Sequence, residues 1–527
     1  MLDLSQVKGL GDISRIQARA YGDKTALAFE GRRTSFAEVD RAASQVGQRL
    51  RQEWVAPQER VAILAKNCDT FFEIWFGAIK ARACLAPINF RLAAPEIAYI
   101  LSDSKSKVLF VGAEFYDLAE KALADVKDKP IVVSLDGART AANGDQWQDY
   151  RAWRDRAEAV DPNMVSPADD DIIQLYTSGT TGNPKGVQLT NKNYIAFLHM
   201  AQNVTGFNYG DDEVVLAAMP LFHVGGTNPA FAAYASGSTI AILRDIAPGA
   251  LLDLIAHEKI NHAFLVPAVI LMLLNAPQME GADLSSMRTV SYGASPIAQD
   301  VLERAQKRFG CSFLQFYGMT ETVGAGTYLP PDAHDPAKGK LRSCGIPWPG
   351  VEVKVVDANG NEAPLGEVGE IVIKAPIVMK GYFNKPDATA EAVRDGWMHT
   401  GDAAYQDAEG YFFIYDRVKD MIVSGGENIY PAEVENAVFG HPAVADVAVI
   451  GVPDDKWGET VKAVVVLKPG ADKDEASIIA YAREKVAAYK VPKSIDFVEA
   501  IPRNASGKVL RRELRKPYWE GRERMVG

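Results

Sequence analysis

Along the first part of the chain, short runs of aliphatic and β-branched residues alternate with stretches whose apolar positions recur every three or four residues. "RVAILA" from Arg60, an amphipathic stretch over residues 68–82 and "KVLFVG" from Lys107 form one such unit. Runs without a polar face read as strands buried on both sides, and the helical patterns between them supply the crossovers that parallel strands need. The alternation returns in "VVLAAMP" near Val214, "STIAIL" near Ser238 and "MRTVSYGAS" near Met287. It predicts an α/β fold for the larger part of the chain.

From about Gly345 the texture changes to short strands and turns, "VEVKVVDANGNEAP" and "GEIVIKAP", with residues 357–360 as a hairpin-like turn. This predicts a β-rich subdomain. Beyond "IYDRVKDMIVSGGENIYP" come a helix from Pro431, strands "DVAVIGVP" and "VKAVVVLKPG", and a helical pattern over residues 475–488. These predict a small α+β C-terminal domain.

At 527 residues the chain exceeds what one core organises. With 47% hydrophobic and 24% charged residues, it reads as folded throughout. A net charge of −11 argues against nucleic-acid binding through a bulk positive field and favours small-molecule chemistry. Cys68, Cys84, Cys311 and Cys344 lie far apart with no CxxC pair, which suggests neither a disulfide framework nor a zinc cluster and fits a reducing cytoplasm. The N-terminus "MLDLSQVKGLGDIS" lacks the features of a secretory signal. The most apolar run, "AFLVPAVILMLL", is too short to span a bilayer, so no integral membrane segment is expected.

The chemistry concentrates first in "YTSGTTGNPKGV", residues 176–187. Glycines free backbone amides to face an anion, Thr177, Ser178, Thr180 and Thr181 add hydroxyl donors around Gly179 and Gly182, and Lys185 adds charge. A Walker loop places its lysine directly after the last glycine and follows it with Ser or Thr; here Lys185 comes three residues after Gly182 and precedes Gly186. A triphosphate or pyrophosphate held in another way is one reading, and a surface turn rich in Gly, Ser and Pro is the other.

The same stretch resembles the phosphate-binding motif of the acyl-adenylate-forming superfamily, which includes acyl-CoA synthetases, peptide-synthetase adenylation domains and firefly luciferase. The resemblance continues in order through "YGMTE" at residues 317–321, "GWMHTGD" at 396–402, "YFFIYDRVKDMIVSGGENIYPAEVE" at 411–435 and "PRNASGKVLRREL" at 502–514. It covers nearly the whole chain. It implies ATP-dependent conversion of a carboxylic acid to acyl-AMP with release of pyrophosphate, then transfer of the acyl group to a thiol.

Carried onto this sequence, the resemblance makes Lys508 the catalytic lysine between acid and α-phosphate, and Glu321 the Mg²⁺ carboxylate with Thr177 as hydroxyl neighbour. Thr320 would contact the α-phosphate and Tyr317 would stack on adenine. Gly293, Ala294, Ser295, Gln315, Phe316, Gly318, Met319 and Ile414 would complete the nucleotide pocket, with Asp402 and Arg417 at the ribose. Lys419 falls at the hinge position, dividing residues 1–418 from a mobile 419–527. Gly425 and Gly426 match the loop of the pantetheine tunnel, and Trp457 and Lys493 resemble the surface that receives the CoA nucleotide.

The acyl pocket would involve His223, Val224, Gly225, Val266, Gly293, Gly318 and Gly324. No aspartate near His223 could hold an α-ammonium, which argues against an amino acid. His223 reads as an aromatic wall, and glycines at 225, 226, 324 and 326 suggest room for a fatty, aryl or polycyclic acid. No carrier-domain pattern follows the last motif. The expectation is therefore an acid:CoA ligase using ATP, Mg²⁺ and CoA, with a medium- or long-chain fatty acid as substrate and a homodimer compatible. An aryl- or steroid-side-chain-acid ligase, a luciferase-like enzyme and a carrier-protein-loading enzyme are the alternatives.

Overall fold

The computed structural model describes residues 2–177, 184–295, 297–417, 420–424, 427–454, 457–503 and 509–520. Among them, two nine-stranded sheets carry the larger body. One has a parallel run Ser312–Tyr317, Thr289–Gly293, His262–Leu265, Val214–Ala217, Thr239–Ile242 and Thr25–Phe29, closed by antiparallel strands at both edges. The other orders Asp171–Thr177, Cys84–Pro87, Arg60–Leu64, Val108–Val111 and Ile131–Ser134 in parallel, with antiparallel Lys185–Thr190 and Gly381–Tyr382 beyond Asp171–Thr177. The strands read from the alternating pattern lie where it put them.

In helix Thr70–Lys80 every side chain from Phe71 to Lys80 is buried, Glu73 and Lys80 included, so the stretch expected to be amphipathic has no solvent-facing side. Such a helix belongs inside a core. Trp75 packs 5.1 Å from Phe231, and Phe76 packs 4.7 Å from Tyr234. Helix Phe36–Gln52 crosses it so closely that a Cβ on Gly77 would fall 2.5 Å from the Val46 side chain. The buried Lys80 ammonium is met by Asp40 at 2.6 Å, Asp161 at 2.7 Å and Ser44 at 2.9 Å, which supplies the partners a buried charge demands.

The predicted β-rich unit is a five-stranded sheet in which Glu352–Val356 pairs antiparallel with Gly369–Lys374. The smaller C-terminal body has its own sheet, built on Val444–Asp454 and Gly458–Leu467, and its own core of Ile429, Val434, Val438, Val449, Val465 and Ile478. One expectation needs correction: the helix starting at Glu475 ends at Arg483 rather than 488. Pro492 favours extended backbone before it, and the chain must turn to feed Ser494–Phe497, which lies parallel to Gly458–Leu467. Residues 418 and 419, where the sequence suggested a division, lie outside the described residues.

Among the described residues, no helix is long and apolar enough to cross a membrane. The apolar run at 263–274 is shared between strand His262–Leu265 and helix Pro267–Leu274. All four cysteines are free thiols.

A buried ion pair anchors strand Asp171–Thr177. Arg60 and Asp171, 6% and 2% exposed, meet at 2.6 Å. Asp171 also accepts from Gln188 at 2.6 Å and Lys380 at 3.1 Å, while Arg60 donates to Gln174 at 2.9 Å and lies 4.0 Å from the Phe383 ring centroid. Removing one partner of a buried pair leaves an uncompensated charge. Arg60→Met is expected to cost about 3 kcal/mol, measured by urea denaturation. A loss well under about 1 kcal/mol would mean that Gln188 and Lys380 compensate on their own.

Candidate active site

Strands Asp171–Thr177 and Lys185–Thr190 pair antiparallel, with Lys185 directly opposite Thr177. The two strands are thus paired on either side of residues 178–184. A Walker loop runs from a strand into a helix, so its lysine spacing is set by the first helical turn; an antiparallel strand pair sets different constraints. Ser178, Gly179, Thr180, Thr181 and Gly182 lie outside the described residues.

Beside this strand pair stands Glu321, 5% exposed, in a single 3₁₀ turn at Thr320–Thr322. The Tyr382 hydroxyl donates to Glu321 Oε1 at 2.8 Å, and the Lys185 ammonium sits 4.8 Å from the centroid of the same ring. Backbone bonds hold the three together. Met379 N–H donates to the Glu321 carbonyl, and Phe383 N–H donates to the Gly186 carbonyl. Val323, which ends the turn, is left-handed at φ 50°, a conformation costly for a β-branched residue. It is secured by Asn228, whose Nδ2 donates to the Val323 carbonyl at 2.6 Å and whose Oδ1 accepts from Tyr194 at 3.0 Å.

The expected adenosine residues lie at neighbouring strand ends. Gln315, Phe316 and Tyr317 finish strand Ser312–Tyr317, and Gly293 pairs beside Phe316. A Cβ on Gly293 would fall 2.3 Å from the Phe316 carbonyl oxygen, and one on Gly318 would fall 2.5 Å from the Gly324 backbone. Ala294 is exposed and left-handed at φ 68°, and Ser295 follows it. The Tyr317 hydroxyl donates to Asp402 Oδ2 at 2.8 Å. Burial and the Asp402 carboxylate hold that phenol protonated. Arg417 is the strand partner of Asp402, though its side chain is outside the described residues. Ile414 and Tyr317 pack on the same small core around Phe412. Met319 opens the turn that carries Thr320 and Glu321.

Behind Gly293, Tyr292 is fully buried and meets His334 Nε2 at 3.1 Å. His334 Nδ1 lies 2.9 Å from the Pro330 carbonyl, an acceptor only, so Nδ1 carries the proton and Nε2 accepts from Tyr292.

Of the residues expected at the acyl pocket, His223 precedes helix Val224–Ser236, and Val266 precedes helix Pro267–Leu274. Burial pushes the His223 imidazole down to about 4, so it is neutral at physiological pH. Asn67 organises this loop: its Nδ2 donates to the carbonyls of Met219 at 3.0 Å and Leu243 at 3.2 Å, and its Oδ1 accepts from Leu221 N–H at 2.9 Å. The reading of four glycines as open room is corrected. A Cβ on Gly226 would lie 2.2 Å from the Pro220 carbonyl oxygen, on Gly326 2.7 Å from Ile373, and on Gly225 3.0 Å from the Phe264 ring. Gly324 is left-handed at φ 71° and faces Asn228 at 3.3 Å. Close packing and turn geometry explain these glycines; the chain itself fills the space.

In the C-terminal body, Trp457 is 46% exposed and its backbone N–H donates to Asp454 Oδ1 at 2.9 Å, and Lys493 is exposed beside Val461. Lys419, Gly425, Gly426 and Lys508 lie outside the described residues. The flanks of Lys508 are fixed, since Arg503 pairs with Val509 across the loop and forms an ion pair with Asp446 at 2.8 Å.

Four residues of this neighbourhood carry no sequence motif of their own: Tyr382, Asn228, Asn67 and His334. For Asn228 the one available signal is a polar residue set in a largely apolar run, since such residues need partners when buried, whereas Asn67 sits in the polar stretch "KNCDT".

The fold is that of an α/β protein with a larger body and a smaller C-terminal body that has its own sheet and core. The AMP-binding enzyme family matches residues 14–383, and the AMP-binding enzyme C-terminal domain matches residues 433–508. The chain belongs to this family, within the acyl-adenylate-forming superfamily. It is 37% identical over 525 residues to the fatty acid–[acyl-carrier-protein] ligase ScoC of Streptomyces coeruleorubidus, covering 99% of this chain and 98% of that one. It is 38% identical over 512 residues to a feruloyl-CoA synthase of Amycolatopsis sp, covering 97% and 99%. Its fold superimposes on the anthranilate CoA ligase AuaEII in complex with anthranoyl-AMP with a TM-score of 0.88 at 28% identity, covering 97% of each chain.

The His334 geometry generates a pH prediction. Burial pushes His334 down to about 4, below the ordinary histidine value. As pH falls below about 6.5, the unfolded chain takes up a proton that the folded imidazole refuses, so stability is lost between about 6.5 and 4. His334→Gln should give a shallower acid limb by about one proton in urea midpoints measured across that window. An unchanged slope would remove His334 as its source.

Proposed function

We propose that the protein is an ATP-dependent, AMP-forming carboxylic acid–CoA ligase acting on an apolar acid, with a medium- or long-chain fatty acid as the preferred class. The observation that carries this reading is the convergence of Glu321, Tyr382 and Lys185 beside the paired strands, with the Tyr317–Asp402 pair as a second contact. A carboxylate and an α-phosphate repel each other, so adenylation needs cations and donors arranged around both more than it needs a general base.

In this reading Thr177, residues 178–182 and Lys185 hold the β- and γ-phosphates, Thr320 reaches the α-phosphate, and Lys508 brings acid and α-phosphate together. Residues 293–295 and Tyr317 line adenine, and Asp402 with Arg417 holds the ribose hydroxyls. Among the described residues, no group of three or more His, Cys, Asp or Glu side chains forms a metal site. Mg²⁺ is commonly held by one or two carboxylates together with substrate phosphates, and Glu321 with Thr177 offers hard oxygen donors. When bound, the ion would neutralise charge on the departing pyrophosphate.

Phe222, Val224, Phe264 and Val266 give the acyl side an apolar character, and His223 stays neutral there. An ammonium would be stranded in such surroundings. The fatty-acid ligase among the relatives supports an aliphatic acid. An aryl acid is the second reading, favoured by the feruloyl-CoA relative and the anthranilate ligase fold.

Thioester formation follows at the same carbonyl, so residues 419–527 would turn about Lys419 to exchange Lys508 for the thiol channel lined by Gly425 and Gly426. Exposed Trp457 and Lys493 suit the CoA nucleotide through stacking and charge.

AMP release measured across fatty and aryl acids, with CoA or a phosphopantetheinylated carrier protein as acceptor, tests the reading. Turnover should require CoA and favour longer aliphatic acids; turnover with carrier protein alone would overturn the acceptor assignment. Lys508→Ala should slow adenylation by about a hundredfold or more while sparing thioester formation from supplied acyl-AMP. Equal loss in both half-reactions would count against its role.

A further inference from the structure

We infer that Tyr382 is a positioning residue that keeps Glu321 and Lys185 apart, one for the metal and the other for phosphate oxygens. The inference rests on the proposed roles of those two residues. Opposite charges in a shielded site attract strongly, and a direct ion pair between them would have to break each time ligand bound. Tyr382 engages both at once through different parts of one ring. Its hydroxyl donates to Glu321 Oε1 at 2.8 Å, and its π face lies 4.8 Å from the Lys185 ammonium.

The backbone explains why the ring holds that place. Gly381–Tyr382 is a two-residue edge strand on Lys185–Thr190, with Tyr382 opposite Val187. Lys185 is thus its diagonal cross-strand neighbour, a spacing that long and aromatic side chains bridge. Tyr382 N–H donates to Thr389 Oγ1 at 2.9 Å, and Lys380 N–H and Phe383 N–H donate to the carbonyls of Gln188 and Gly186 on either side. Met379 N–H reaches the Glu321 carbonyl at 2.7 Å, so one five-residue segment fixes the carboxylate through both its backbone and its oxygen. Tyr382 itself is 9% exposed.

The two interactions also reinforce each other. A phenol donating to a carboxylate gains electron density, which strengthens the attraction of its face for a cation. The carboxylate plane is set by the charge-assisted hydrogen bond.

Calorimetric titration of ATP into the acid-free protein, with Mg²⁺ or with EDTA, tests this without turnover. Tyr382→Phe keeps the ring over Lys185 and removes the hydroxyl. It should weaken ATP binding in EDTA by less than about twofold and reduce the gain from Mg²⁺ by about tenfold. Tyr382→Leu should weaken ATP binding in EDTA as well, because the ammonium loses its aromatic support. Glu321→Gln separates the inference from the reading beneath it. If Glu321→Gln abolishes the Mg²⁺ gain while Tyr382→Phe retains it in full, the positioning role is overturned. If Glu321→Gln itself retains the gain, the proposed metal role of Glu321 is what fails. A parallel fall of both affinities in Tyr382→Phe, with a lowered melting temperature, would reduce Tyr382 to a structural residue.

Discussion

The buried Arg60–Asp171 pair is the constraint on which the site depends. Asp171 begins the strand that ends at Thr177, and its carboxylate gathers donors from Arg60, Gln188 and Lys380, on three separate segments. Strand register sets which face each side chain occupies, and a slip of one residue would turn Lys185 away from Tyr382. Charges buried in this way are poor sources of net stability but strict about geometry. Here the strictness falls on the two strands that flank residues 178–184.

The rest of the site is built by handing position from one element to the next. Asn228, on the helix that follows His223, grips the carbonyl of strained Val323, so that helix and the Glu321 turn share a fastening. Asn67 does the same for the loop ahead of His223. His334 and Tyr292 brace the strand end that leads into Ala294. Left-handed backbone at Ala294 and Val323 persists because such neighbours over-determine it. None of these supports carries charge in its resting form, which suits a cleft where charge is reserved for ligands.

Much of the fold was legible because its signal is local. Apolar runs such as "RVAILA" and "KVLFVG" mark parallel strands wherever they occur, and their places agree with the structure. Glu321, Lys185, Asp402 and Tyr317 were legible through ordered motifs; the structure sets Glu321 and Lys185 against the Tyr382 ring and, in a second contact, Tyr317 against Asp402. Tyr382 was not, because its meaning lies in a cross-strand diagonal that appears only after the strands pair. The glycines at 226 and 326 misled for a related reason. A missing side chain signals either a cavity or a close backbone approach, and only the neighbouring carbonyl of Pro220 or the Ile373 side chain tells them apart.

The antiparallel pairing of the strands that flank residues 178–184 has an evolutionary consequence. In a loop that feeds a helix, one inserted residue rotates the whole helix by about 100° and carries its buried face out of register. Between Thr177 and Lys185 the strands are already locked to each other and to Arg60. Insertions or deletions at the tip would leave that frame intact. Loop length is thus open to variation here while the scaffold that aims it stays fixed.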